Sequence, residues 1–209
     1  PEEEGLMINM IKNMKENDCF LNVGAAIGYY TILARMLRKD IKVVGINPHP
    51  HFIEKMKKCV ELNEVENIEI EESALCTKPN TNYYLGPKYG SCITEEESEN
   101  SVLIKGKTIE EIIKERNLEN SKLYIQMDIQ GIEYDIISNF KQDTIDLINF
   151  ILVGTHSEKI HTDCRDFLEK HNFDIIFDNW ITDLQPDGII CAKKRNSSGL
   201  VQNKQAGDR

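Results

Sequence analysis

Short apolar runs alternate with stretches of helical periodicity along most of this chain, and that alternation leaves few folds open to it. Cys19 to Val23 is a compact apolar run closed by Gly24, the pattern of a buried strand. Tyr29 to Arg38 carries helical spacing. Ile41 to Ile46 is a second strand, followed by a turn punctuated by Pro48 and Pro50. From His51 to Asn63 the apolar positions Phe52, Ile53, Met56 and Val60 are helical again, and Ile68 to Ile70 is a third strand. Leu123 to Met127 and Leu147 to Val153 are two more, with a helix at Ile132 to Phe140 between them. Upstream, Leu6, Met7, Met10, Ile11 and Met14 mark an amphipathic helix predicted to end near Asn17-Asp18. Strands joined by helices imply a mainly parallel sheet covered on both faces. Cys164 to His171 is helical, and Phe173 to Phe177 with Gly188 to Ala192 forms a closing pair of strands that predicts an antiparallel ending.

The rest of the chain sets boundaries. Cys76 to Lys107 is rich in Asn, Thr, Gly, Glu and Ser, with short β-like pieces at Tyr83-Leu85, Ser91-Thr94 and Val102-Ile104, and reads as a hairpin-type insertion. Thr108 and Glu111 have capping-box spacing for a helix through Ile109, Ile112 and Ile113. Periodicity stops after Lys193, so 1–195 reads as one domain and 196–209 as a disordered tail. The first residue is Pro1 rather than a methionine, which fits a piece of a longer multidomain chain.

Composition removes several function classes. The formal net charge of −10 repels phosphate backbones and no basic stripe offsets it, so a nucleic-acid partner is not expected. Lys55, Lys57 and Lys58, the densest basic cluster before the tail, read as the solvated side of one helix. No run approaches the roughly 18 apolar residues of a membrane span. The six cysteines are scattered without a C-x-x-C pair, which predicts reduced thiols and a cytoplasmic location.

Ligands in such sheets sit beyond the carboxyl ends of the strands. The first of those turns, Asn22-Val-Gly24-Ala25-Ala-Ile-Gly28-Tyr29-Tyr30-Thr31, has two glycines four apart between a strand and a helix. They let backbone approach a ligand, although a tight turn alone would also use them. Asn47, 19 residues after Gly28 and followed by Pro48-His49-Pro50, stands where a ribose-binding acid commonly sits. Asp128 ends the fourth strand with Gly131 after it, and His156 ends the fifth, so the two are expected to converge on one substrate hydroxyl. The plainer alternatives are that Asp128 caps the next helix and that His156 is a satisfied, half-buried histidine.

Together these four motifs resemble the FkbM family of S-adenosylmethionine-dependent methyltransferases. Its fingerprint runs roughly D-V-G-A-N-I-G-Y-Y-T, E-P-H-P, K-I-D-V-E-G-A-E and V-E-I-H. The matching segments are Asn22 to Thr31, Asn47 to Pro50, Gln126 to Glu133 and Val153 to His156, with weaker matches at Ser73-Ala74-Leu75, Gly90-Ser91 and Thr108-Ile109-Glu110. The likeness spans about residues 5–193. It implies an α/β, Rossmann-like class I methyltransferase fold, with a mainly parallel central sheet and an antiparallel C-terminal strand. It also implies O-methylation, often of a sugar or another polyol. On that basis the cofactor is S-adenosylmethionine: Asn22, Gly24, Ala25, Gly28, Tyr30 and Thr31 are expected around its methionine side, Asn47 and Pro48 at the ribose, and Ser73 and Ala74 near the adenine. Asp128 borders both cofactor and acceptor.

Four acids of the fingerprint are missing, at Asn22, Asn47, Gln130 and Gly154. Counting Asp128 as the one carboxylate left at these strand ends argues against a metal. His156 is the expected base for the acceptor hydroxyl, with Asp128 orienting the base or the hydroxyl. The insertion and an Ile160–Cys164 loop are expected to cover a hydroxylated acceptor, on the polarity of Asn80, Asn82, Tyr83, Tyr84, Ser91 and His161. Two rivals stand beside this reading. One is a catalytically impaired domain that binds cofactor or partner. The other is a nicotinamide oxidoreductase, against which the missing G-x-G-x-x-G argues, as does the Gly86-Pro87 break inside Tyr84 to Lys88.

Overall fold

Alternation along the first strand builds both cores of the molecule. In β1 (Cys19–Val23), Cys19, Leu21 and Val23 pack on one side of the sheet and Phe20 on the other. The structure is a computed structural model that describes residues 2–86, 92–180 and 187–195. Lys88, Gly90, Ser91 and the tail 196–209 lie outside the described residues. Before β1 comes α1 (Glu2–Lys12), and after it α2 (Tyr29–Leu37), β2 (Lys42–Ile46), α3 (Pro50–Leu62) and β3 (Glu69–Glu71). After β4 (Ala74–Leu75), the insertion holds β5 (Asn82–Leu85), β6 (Ile93–Thr94) and β7 (Val102–Lys107). Then follow α4 (Ile109–Glu115), β8 (Leu123–Met127), α5 (Glu133–Ser138), α6 (Gln142–Leu147), β9 (Ile148–Thr155), α7 (Glu158–Lys170), β10 (Phe173–Asn179) and β11 (Gly188–Lys194).

The main sheet has seven strands in the order β10-β11-β9-β8-β1-β2-β3. Neighbours from β9 to β3 run parallel, and β11 is antiparallel to both β9 and β10, as expected. The chain winds outward from β1 to β3, then returns to β8 on the other side. The switch point therefore lies between the carboxyl ends of β1 and β8. Met7, Met10, Ile11 and Met14 bring the α1 segment onto one face beside Ala34 of α2. Ile109 and Ile112 of α4, Ile136 of α5, and Cys164 and Leu168 of α7 cover the other. The insertion folds with β4 into a four-stranded sheet, β4-β7-β5-β6, over Ala74, Cys76, Tyr83, Leu85 and Ile104. No described helix is long and apolar enough to cross a membrane.

Three expectations need correction. The first helix stops at Lys12 rather than near Asn17-Asp18, because Asp18 accepts from the Lys15 N–H at 2.6 Å and Asn17 turns to a φ of 67°. Leu147 closes α6, a helix the sequence did not announce, instead of opening a strand. Ile160–Cys164 is no loop: Ser157 caps α7 through the Ile160 N–H at 3.2 Å, so the segment is helical. His161 is buried there between Thr155 Oγ1 at 2.8 Å and Asp178 Oδ1 at 2.7 Å, so it cannot reach an acceptor.

Candidate active site

Gly24 and Gly28 hold left-handed φ angles of 82° and 87° on either side of the turn after β1. A Cβ on Gly24 would stand 1.9 Å from the Asp128 carbonyl oxygen. The bare glycine thus lets the β1 turn press against the end of β8, where the Asp128 N–H donates to the Val23 carbonyl at 3.0 Å. This contact puts Asp128 at the switch point.

A cleft of about 740 Å³, measured out to open solvent, lies beside that contact. Of the predicted residues, Gly24, Asn47, Pro48, Ser73, Ala74 and Asp128 line it. The insertion adds Leu85 and Ile93, which sequence reasoning did not assign to the site. Asn47 Oδ1 accepts from the His49 N–H at 2.9 Å, so part of this amide shapes its own turn. Ser73 Oγ is buried in the wall without a hydrogen-bond partner of ordinary geometry.

Asn22, Ala25, Gly28, Tyr30 and Thr31 do not line the cleft; they build the turn from behind. Asn22 faces Gln126 across the β1–β8 register and donates to its Oε1, while Asn22 Oδ1 accepts from Thr31 Oγ1 at 2.8 Å. All three side chains are buried. Ala25 packs with Ile53 and Met56. Tyr30 packs against the α1 side, where burial and then Glu3 push its hydroxyl pKa up.

Three ionisable groups run inward from the cleft edge. The Asp128 side chain is 42% exposed, that of His156 is 14%, and that of Glu133 is 0%. His156 Nε2 stands 3.3 Å from Asp128 Oδ1, and Nδ1 is 2.8 Å from Glu133 Oε1. Asp187 Oδ1 lies 3.9 Å from Nε2. Contacts with Asp128 first and Glu133 second raise the His156 pKa to about 10, against the lowering effect of burial. Both acids thus favour the protonated ring. Its Nε2 is buried and lies off a hydrogen-bond line to Asp128. Asp128 does not cap α5, whose N-cap is Ile132 without a side-chain bond; it accepts instead from Gln130 Nε2 at 3.0 Å.

Glu133 was part of a matched motif but was not weighed as a site residue. Only the fold reveals that its turn carries it under His156. Ligand-type atoms of Asp128, Glu133 and His156 lie within 4.8 Å of one another, so the helix start brings a second carboxylate beside the one at the strand end. A protonated ring between the acids balances part of their charge.

A glycine turn, a cleft at the switch point and an acid at its edge are those of an α/β domain that binds a nucleotide-type cofactor. Residues 22–175 match the model of the methyltransferase FkbM domain, and the chain belongs to that family. Its cofactor is S-adenosylmethionine, and the cleft fits that group: an apolar wall from Leu85 and Ile93, the Ser73 hydroxyl in the wall, and Asn47 beside them. Among curated proteins no match was found. Solved structures share the fold at low identity. The precorrin-6y C5,15-methyltransferase of Geobacter metallireducens GS-15 is 13% identical with a TM-score of 0.58, covering 93% of this chain and 88% of that one. An rRNA methylase from Streptococcus thermophilus is 7% identical at 0.58, covering 93% and 95%. M. capricolum TrmK in complex with S-adenosylhomocysteine is 13% identical at 0.53, covering 90% and 67%.

Proposed function

We propose that this chain is a metal-independent O-methyltransferase acting on a hydroxyl of a sugar, glycan or similar polyol, with Asp128 as the group that meets the acceptor. The single observation carrying the assignment is the inward gradient from an accessible Asp128 to a sheltered His156. The two acids favour the protonated ring, which makes His156, expected as the base from the sequence, the less available acceptor of a hydroxyl proton and supports Asp128 in that part. The cofactor supplies, when bound, a methyl group on a positively charged sulfur. Asp128 would take the proton from the acceptor hydroxyl as that oxygen accepts the methyl group and the uncharged cofactor product is left. Gly24, Asn47, Pro48, Ser73 and Ala74 would hold the cofactor beside it, with Asn22, Ala25, Gly28, Tyr30 and Thr31 supporting the turn.

Nucleic acid is the less favoured acceptor. An rRNA methylase shares the fold, but at such identity the likeness concerns the fold alone. A formal net charge of −10 opposes a phosphate backbone. The described cysteines are all free, which supports a reducing, cytoplasm-like compartment.

A mass-spectrometric screen with S-adenosylmethionine tests the reading, with pools of sugars, glycans, lipids and transfer RNA as acceptors. The expected product carries one added methyl on a carbohydrate or polyol oxygen, at a rate unchanged by EDTA. Methylated RNA, or loss of activity with EDTA, would contradict it. Tight cofactor binding without transfer to any acceptor would favour a binding module instead.

A further inference from the structure

We propose that Glu133 is a positioning residue of this site, fixing the His156 ring from behind so that Nε2 faces Asp128 at the cleft edge. Glu133 is wholly buried at the start of α5, yet it caps nothing in that helix. Its Oε1 accepts from the Ile129 N–H at 3.3 Å, the Gly131 N–H at 3.0 Å and His156 Nδ1 at 2.8 Å. Oε2 accepts from the Gly131 N–H at 3.2 Å. One carboxylate thus ties the turn after β8 to the residue after β9. A buried carboxylate in this position calls for a cationic partner, and among the described residues His156 is in contact with it.

The bond settles two properties of the ring. With Nδ1–H committed to Glu133, rotation about the side chain is blocked, and the remaining nitrogen must point toward Asp128. The Glu133 charge also favours the doubly protonated ring. Charged or titratable groups facing His156 are Asp128 from the end of β8, Glu133 from α5 and Asp187 ahead of β11. Cys92 and Cys164, whose thiols burial and then Glu133 push up, stay neutral nearby. The catalytic consequence rests on the methyl-transfer reading, through Asp128; the pairing itself does not.

The test uses Glu133→Gln in the full chain. The replacement has the same shape and keeps an oxygen for the Gly131 N–H, but it removes the charge. His156 is followed by nitrogen-detected NMR titration without acceptor or cofactor, assigned by loss of its signals in His156→Gln. Affinity for S-adenosylhomocysteine is measured alongside by calorimetry. The midpoint of His156 is expected to fall by about 1–3 pH units in the variant, with the affinity held within about twofold. An unchanged midpoint overturns the proposal. So does an affinity loss beyond about tenfold, which would mark Glu133 as a mere brace for the turn that borders the cleft. Should the variant not fold, the wild-type chain still decides: a ring that titrates near its ordinary value and is neutral at pH 8 overturns the pairing. None of these readouts needs methyl transfer, so failure here is separable from failure of the proposed function.

Discussion

Asn22 and Gln126 face one another across β1 and β8, and their pairing explains one departure from the family fingerprint. The fingerprint carries an acid at the first position and a lysine at the second. Here both charges are absent together, so a neutral amide pair, completed by Thr31, fills the buried place an ion pair would take. The loss of the acid at Asn22 is therefore no sign of a failing cofactor site. Asn22→Asp alone should destabilise the chain by about 3 kcal/mol, and adding Gln126→Lys should recover most of that in denaturant unfolding. Additive costs in the double variant would contradict the pairing. His156 gives a second prediction at this scale. Its folded pKa is raised, so its contribution to stability is full below about pH 6.5 and fades as the pH climbs through about 10. Thermal melts across that range should slope downward in the wild type and more weakly in His156→Gln; equal slopes would contradict the raised value. That Asp128 and His156 would come together was legible from their positions at strand ends. Their order was not, because depth from the cleft depends on how the two turns pack.

Elements with strong local signals were read correctly, and those whose identity depends on packing were not. β1 and β8 are mostly apolar runs, each with one amide residue, and both fall where the sequence put them. The capping box of α4 forms as its spacing required: Thr108 Oγ1 accepts from the Glu111 N–H at 3.3 Å, and Glu111 Oε2 accepts from the Thr108 N–H at 2.8 Å. Thr108→Ala should cost about 1 kcal/mol in chemical denaturation, and no measurable loss would mean that tertiary packing alone holds α4. In contrast, α6 is one short helix in front of β9 with only Thr144 and Ile145 buried, too few apolar positions to show a period. The stretch 160–164 looked like a loop because it mixes Ile160, His161, Thr162, Asp163 and Cys164. Its helicity comes from the Ser157 cap and from the burial of His161 against Thr155 and Asp178, contacts made with β9 and β10. The insertion was recognised as hairpin-like, but nothing local said that Leu85 and Ile93 would form one wall of the cleft.

At the scale of the whole molecule, the strand order decides where chemistry can occur. Reversal of the winding between β1 and β8 opens the cleft, the glycine turn packs against Asp128, and the insertion sheet closes the apolar side. Under the proposed function, the formal net charge of −10 favours uncharged or cationic acceptors. This general plan was readable from four ordered motifs and the alternation of elements. The line of Asp128, His156 and Glu133 was not, since it joins residues from two strand ends and a helix start. The central claim is that the outermost member of that line meets the acceptor. The most direct measurement is turnover of Asp128→Asn and His156→Gln at neutral pH, using S-adenosylmethionine with a deuterated methyl group and the acceptor found by the screen. The account predicts a fall of about 100-fold or more for Asp128→Asn and a smaller one for His156→Gln, both with cofactor affinity intact. Undiminished turnover in Asp128→Asn, or a larger loss in His156→Gln, would contradict it.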